Sequence, residues 1–195
     1  MKVLEIFKSI QGEGRNMGRA CAFVRTQGCN LSCPWCDTKE SWGNGSAKEM
    51  TPKEIGDAIA ALGVDFVVIT GGEPTIQPDL QDVVRELHLI GVRVAIETNG
   101  TNPVCSGVDW VACSPKPQSG YAINCCADEL KFVVTKGFDA EVAIPERVRQ
   151  AYTGRIWLQP NGYDMADTWK MAYELAQADP RLRVGVQLHK LMEVR

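Results

Sequence analysis

The sequence has little that would direct it to a membrane, out of a cell or onto nucleic acid. Its 21 basic and 24 acidic residues leave a net charge of −3, and no run of like charge exceeds a few residues, so there is no basic field for a phosphate backbone and no nucleic-acid partner is expected. No apolar run approaches the roughly 20 residues of a membrane span. The opening Met1-Lys2-Val3-Leu4-Glu5-Ile6 lacks the apolar core of a signal peptide, so a cytoplasmic protein without membrane attachment is expected. Repeats, low-complexity tracts and linker-like stretches are also missing. The 195 residues read as one domain, long enough to bury a substantial core.

What is present in unusual amount is cysteine, at eight residues. In a reducing cytosol such a count favours metal ligation or buried thiols over disulfides. Three of the eight, Cys29, Cys33 and Cys36, fall in the run Gly28-Cys29-Asn30-Leu31-Ser32-Cys33-Pro34-Trp35-Cys36-Asp37-Thr38. Neither a histidine nor a fourth cysteine lies close enough in sequence to complete a tetrahedral set, so one metal position stays open. Soft thiolates select zinc or iron-sulfur clusters, and an open position is where chemistry can happen. Structural zinc usually takes two paired C-x2-C knuckles, and only Cys33 and Cys36 could make one. A four-iron, four-sulfur (4Fe-4S) cluster with an open iron suits C-x3-C-x2-C better. Cys21, within Ala20-Cys21-Ala22-Phe23-Val24, reads as core, and Cys105, Cys113, Cys125 and Cys126 read as buried structural thiols.

Apolar periodicity and punctuation give alternating strands and helices. Strand-like segments are 21–26, 65–70, 92–98, 108–113, 130–135, 156–159 and 183–188. The unbroken run Phe66-Val67-Val68-Ile69 is what a parallel strand covered on both faces requires. A helix begins at Thr51-Pro52-Lys53-Glu54, an N-cap threonine with proline at N1 and glutamate at N3, and carries Ile55, Ile59 and Leu62 on one face. Another follows Pro78 with Leu80, Val83, Val84, Leu87 and His88, and stops at Gly91. Segments 139–152 and 165–178 are further helix candidates. Segments 99–107 and 114–128 are too short or too rich in Gly, Pro and Ser for a crossover helix. The expected fold is α/β, an incomplete TIM-like barrel with reduced outer helices, whose chemistry belongs at the C-terminal strand ends.

The cysteine loop follows one such strand, and Thr70-Gly71-Gly72-Glu73-Pro74 follows the next. Two glycines let backbone approach a ligand, and Glu73 offers a carboxylate or a carbonyl to an amine. Alone, Gly-Gly-Glu-Pro would be a turn. Downstream of C-x3-C-x2-C it resembles the radical S-adenosylmethionine (SAM) superfamily, through nearly the whole chain. That resemblance implies a radical SAM barrel in which Cys29, Cys33 and Cys36 hold the 4Fe-4S cluster. The open iron chelates SAM, the segment around Gly72 and Glu73 binds its methionyl end, and Trp35, Cys36 and Asp37 line the SAM site.

A narrower resemblance is to the 7-carboxy-7-deazaguanine synthase family. It rests on Ser9-Ile10-Gln11-Gly12-Glu13-Gly14, Phe23-Val24-Arg25, Cys36-Asp37-Thr38, Glu97-Thr98-Asn99-Gly100, Ser114-Pro115-Lys116, Gln159-Pro160 and Gln187-Leu188-His189-Lys190. The resemblance implies a lyase that converts 6-carboxy-5,6,7,8-tetrahydropterin to 7-carboxy-7-deazaguanine with loss of ammonia, on the route to queuosine and other 7-deazapurines of tRNA modification. SAM is regenerated and a magnesium ion assists. It also implies a homodimer served by a flavodoxin-like or other one-electron reductant. Ile10, Gln11, Gly12, Arg25, Thr70, Glu97, His189 and Arg195 would contact substrate, with the C-terminal segment from about residue 183 folding over the pocket. Ser114, Pro115 and Lys116 would meet the SAM carboxylate, Gln159, Pro160, Asn161 and Gly162 would bound its adenosine, and Thr38 would ligate magnesium.

Physical chemistry supports several of these assignments. Arg25 can give a carboxylate two parallel hydrogen bonds. Gln11 reads a donor and an acceptor on one ring edge, and Gly12 permits close approach. Thr38 offers a neutral oxygen to a magnesium ion that keeps most of its waters. Two other classes share part of the pattern: a glycyl-radical-enzyme activase has the cysteine and GGEP motifs, and an iron-sulfur electron carrier has thiolate ligands but normally four of them.

Overall fold

The structure is a computed structural model that describes residues 1–43, 46–162 and 165–194. In chain order its elements are β1 (Lys2–Ile10), β2 (Ala20–Thr26), β3 (Lys48–Glu49), α1 (Pro52–Leu62), β4 (Phe66–Gly71), α2 (Leu80–Leu89), β5 (Arg93–Thr98), β6 (Trp110–Cys113), β7 (Glu129–Val134), α3 (Ala140–Ala143), α4 (Glu146–Ala151), β8 (Ile156–Pro160), α5 (Met165–Ala178), β9 (Leu182–Val184) and α6 (Leu188–Leu191). The strands form one nine-stranded sheet in the order β3-β1-β2-β4-β5-β6-β7-β8-β9. β1 runs antiparallel to β2 and β3, and every pair from β2–β4 to β8–β9 is parallel.

Parallel strands need both faces covered, and alternate residues serve the two sides. Outward side chains of β4 and β5, such as Val67, Ile69, Val94 and Ile96, pack with Ile55 and Ile59 of α1 and with Leu80, Val83, Val84 and Leu87 of α2. Leu130, Phe132, Val134, Ile156 and Leu158 make a second outer core with Ala143, Ile144 and Ala172. The opposite face carries Cys21, Phe66, Val68 and Ala95, joined by Phe23 and Trp110. This face curls inward. The amide of Leu188, beyond the last strand, donates to Gly12 O at 2.9 Å, beyond the first. The sheet is thus a partial barrel of the TIM-like kind. No described helix is long and apolar enough to cross a membrane.

Local chemistry explains the helix limits. Thr51 and Glu54 form a reciprocal capping box at α1, with Pro52 at its start, and Gly63 closes it in the left-handed conformation. The expected helix over 139–152 is instead two short ones. Pro145 disfavours helical geometry at the residue before it, and Ile144 adopts φ −128°, ψ 70°. Between β5 and β6 the described chain makes no helix, and between β6 and β7 only a 3-10 turn at Pro117–Ser119. These are the missing outer helices.

Three further differences have physical causes. β1 and β3 are unforeseen strands. β1 alternates irregularly and carries a register shift between Val3 and Glu5, which hides its period. The strand expected over 183–188 stops at Val184, because Gly185 packs against Gln159 and Leu188 already begins α6. Cys21 and Cys113 are buried as expected, but Cys105 and Cys125 are half-buried and Cys126 is exposed.

Candidate active site

The ends of the parallel strands and the loops that follow them surround one cavity of about 320 Å³. β2 delivers Arg25 and then the cysteine loop. Hydrogen bonds fix that loop: from the neighbouring turn Gly72 N donates to Thr26 O at 3.1 Å and Glu73 N to Gly28 O at 2.8 Å, and within the loop Gly28 N donates to Ser41 O at 2.7 Å. The two glycines of the turn are needed for this contact. A Cβ at Gly71 would stand 2.2 Å from Thr26 O, and one at Gly72 would stand 2.0 Å from Gly28 O. The expected close approach was to a ligand; the one the structure shows is to the cysteine loop. The Glu73 side chain is likewise turned away from the cavity. It is fully buried and accepts from Thr75 N, Thr75 Oγ1, Thr98 Oγ1 and Asn99 N at 2.6–3.0 Å. Of the two groups this residue could offer a ligand amine, the carboxylate is already committed.

Cys29, Cys33 and Cys36 all line the cavity. Burial pushes the Cys29 and Cys33 thiols above the ordinary range, a cost that bonding to a metal would remove. Among the described residues no three His, Cys, Asp or Glu side chains gather closely enough for a single ion.

Arg25 stands opposite Glu5 across the β1–β2 pair. Its Nε donates to Glu5 Oε1 at 2.7 Å, and its guanidinium lies 5.7 Å from the Phe7 ring centroid. With Nε committed, a ligand carboxylate would be met end-on by the two Nη groups.

The floor is a network of buried charges. Lys131, on the inward face of β7, lies 2.5 Å from Glu97 Oε2 and 2.8 Å from Glu13 Oε2. Gln11 Nε2 donates to Glu97 Oε1 at 3.0 Å, and Gln187 Nε2 to Glu13 Oε1 at 2.7 Å. Burial raises the Glu97 carboxyl despite the pull of Lys131. Glu13 is buried too, yet the Lys131 ammonium outweighs that burial and holds its carboxyl low. Burial would lower Lys131, but its two carboxylates hold it above the usual lysine range. Lys131, Glu13 and Gln187 were not among the expected site residues. The signal was a lysine at the centre of a strand whose neighbours Leu130 and Phe132 are wholly buried. A charge in such a place needs partners.

The C-terminal segment closes one side. Lys190 Nζ donates to Asp37 Oδ2 at 2.7 Å and to Gln187 Oε1 at 2.8 Å, and Thr38 Oγ1 donates to Asp37 Oδ1 at 3.3 Å. His189 sits on Gly12, where a Cβ would lie 1.9 Å from Nδ1. What approaches Gly12 closely is therefore the histidine ring. Burial lowers the His189 imidazole. On the far wall Ser114 Oγ donates to Lys131 O at 2.8 Å and receives a hydrogen bond from Lys116 Nζ. Burial holds the Lys116 ammonium below its ordinary value, and an anion beside it would reverse that.

Ile10, Gln11, Arg25, Thr70, Glu97 and His189, expected around substrate, all line the cavity. So do Trp35, Cys36, Asp37, Thr38, Gly72, Ser114, Lys116, Gln159, Pro160, Asn161 and Gly162. Pro115 is buried outside the lining, and Arg195 lies outside the described residues. Two buried side-chain atoms of lining residues, Trp35 Nε1 and Gln159 Oε1, have no hydrogen-bond partner among the described residues. Each such atom is costly to leave unpaired, and Gln159 Oε1 is turned towards Gly185, outside the lining.

Comparison with known proteins bears on the family and the fold. The profile of the Radical SAM superfamily matches residues 23–112. The 7-carboxy-7-deazaguanine synthase of Synechocystis sp. is 36% identical over 99% of this chain and 93% of its own length. The enzyme of the same name from Bacteroides thetaiotaomicron is 36% identical over 100% of this chain and 98% of its own. Among solved structures, QueE from Escherichia coli superposes with a TM-score of 0.80 at 30% identity, covering 96% of this chain and 94% of that one.

Proposed function

We propose that this chain, which belongs to the 7-carboxy-7-deazaguanine synthase family of radical SAM enzymes, converts 6-carboxy-5,6,7,8-tetrahydropterin to 7-carboxy-7-deazaguanine and ammonia on the route to queuosine. One observation carries the proposal: the three cysteines, Arg25 and the Glu13–Lys131–Glu97 floor line a single chamber. A carboxylate clamp and a radical source can therefore act on one molecule.

A 4Fe-4S cluster with SAM supplies one-electron cleavage to a 5'-deoxyadenosyl radical. The protein's own residues hold, orient and exclude. Cys29, Cys33 and Cys36 hold the cluster. Lys116, whose ammonium is destabilised by burial, meets the SAM carboxylate. Gln159, Pro160, Asn161 and Gly162, which line the chamber, would bound the adenosine. Arg25 clamps the substrate carboxylate end-on. Glu13 and Glu97 accept from the N–H groups of the pterin ring, and Lys131 prevents the two carboxylates from repelling each other. Gln11, held by Glu97 and by Glu13 N at 3.2 Å, fixes their spacing. Thr38, beside the carboxylate of Asp37, would offer one neutral oxygen to a magnesium ion that assists at the substrate side.

The test is anaerobic reconstitution with iron and sulfide, addition of SAM, magnesium, reductant and 6-carboxytetrahydropterin, and mass analysis of the product. The expected product is 7-carboxy-7-deazaguanine, with none from Cys36→Ala, which should also lose the cluster's visible absorption. A wild type that cleaves SAM but leaves the pterin unchanged would refute the substrate assignment.

A further inference from the structure

The three cysteines have unequal surroundings. Cys29 Sγ accepts from the backbone amide of Leu31 at 3.5 Å, a donor that no side-chain replacement removes. The Cys33 thiol instead donates to a side chain, Gln118 Oε1, at 3.6 Å. Gln118 lies in the 3-10 turn Pro117–Ser119, within the β6–β7 connection where the barrel lacks its outer helix. Cys33 is 7% exposed, whereas Gln118 is an exposed residue. Gln118 therefore reaches from the surface to a sulfur of the buried site.

Once Cys33 ligates iron it is a thiolate, with no hydrogen to donate and lone pairs that accept. The two ends of a carboxamide are nearly the same size, so a half-turn of the Gln118 amide puts Nε2–H where Oε1 stands without needing new space. We propose that Gln118 tunes the iron-sulfur cluster by donating Nε2–H to the ligating Cys33 sulfur, raising the cluster's reduction potential and easing the electron delivery that precedes SAM cleavage. The direction follows from charge. Reduction adds one electron, part of whose density falls on the ligand sulfurs, so a donor there stabilises the reduced state more than the oxidised one.

This inference rests on Cys29, Cys33 and Cys36 holding a cluster, and its test separates the two ideas. The full chain and its Gln118→Leu and Gln118→Glu variants are reconstituted anaerobically, assayed for iron and sulfide, and titrated with a low-potential chemical reductant while the reduced cluster is followed by electron paramagnetic resonance. All three should hold the same iron. The midpoint should fall in Gln118→Leu, which has no donor, and fall further in Gln118→Glu, which adds a negative charge. A wild-type midpoint in Gln118→Leu at full iron content would overturn the role of Gln118. A wild type that takes up no cluster would overturn the ligand assignment, and the tuning role with it.

Discussion

Four buried or nearly buried carboxylates inside the barrel divide into two pairs. Glu73 accepts four hydrogen bonds from the ends of β4 and β5. Glu129 accepts from Trp110 Nε1 at 3.0 Å, Trp157 Nε1 at 2.6 Å and Arg15 N at 2.9 Å. Both are tied to neutral donors and lie outside the cavity lining, and both fix loops. Glu13 and Glu97 line the cavity, and a shared cation, Lys131, balances them. Lys131 and Glu129 are two residues apart on one face of β7, so a single strand serves both purposes. The difference lies in the donors. Indoles and amides complete a carboxylate and end its chemistry, whereas one ammonium shared by two carboxylates leaves acceptor capacity for a ligand's N–H groups.

Removing the shared cation should have the largest effect. Breaking a buried ion pair on one side typically costs about 3 to 5 kcal/mol, so Lys131→Met should lower the melting temperature sharply and abolish substrate binding while iron content persists. The pH dependence should also change. Glu13 has a depressed carboxyl, so its contribution is present above the unfolded value of about 4.3 and lost as pH falls through the lower folded one. Acidification should therefore cost the wild type its Glu13 contact, partly offset by the Glu97 carboxyl that burial raises, whereas in Lys131→Met it only relieves repulsion. Glu129→Ala provides the contrast. It strands three donors at about 1 to 3 kcal/mol each before relaxation, and a net loss of about 3 kcal/mol in chemical denaturation is expected, with substrate affinity of the folded protein unchanged. If Glu129→Ala changed affinity and spared stability, the division between the pairs would be wrong.

The outer layer of the fold was legible in the sequence and the inner one much less so. Phe66-Val67-Val68-Ile69 and the capped helix at Thr51 announce themselves because apolar burial and capping are local patterns. The roles of Lys131 and Glu13 depend on partners 34 and 118 positions away, as Glu97 and Lys131 are to Lys131 and Glu13, respectively. Only the curl of the sheet brings them together. The glycines of the GGEP turn were recognisable as a motif, but the obstacle they avoid is the backbone of Thr26 and Gly28. Spacing shows that a glycine is required there without showing what it must clear.

Arg25 tests whether the cavity's charges recognise shape as well as sign. An ammonium keeps the charge but cannot form two parallel hydrogen bonds, and with Glu5 retaining its hold the single contact left would be poorly aimed. A lost charge-assisted hydrogen bond costs about 1.5 to 3 kcal/mol, so Arg25→Lys should weaken 6-carboxytetrahydropterin binding by roughly tenfold or more. Iron content and SAM affinity of the same preparation should match wild type. Equal substrate affinity would remove Arg25 from the clamp.

The smallest effect is expected where the cavity meets solvent. Lys190 bridges Asp37 and Gln187, but the Lys190 and Asp37 side chains are 42% and 44% exposed, and pairs of this kind are worth about 0.2 to 1 kcal/mol. The Asp37 carboxyl, although burial works to raise it, is held below the ordinary range by Lys190. It ties α6 to the loop that carries Cys36 and Thr38, and α6 places His189 over Gly12. Lys190→Ala should therefore loosen the C-terminal cover without dismantling it. Substrate dissociation should quicken by no more than about fivefold, the equivalent of 1 kcal/mol. The wild-type advantage should shrink in high salt, because an exposed pair is screened where the floor around Lys131 is not. Stopped-flow release of bound pterin at low and high ionic strength measures both. A loss as large as that of Lys131→Met would mean that the rim, and not the buried floor, holds the substrate.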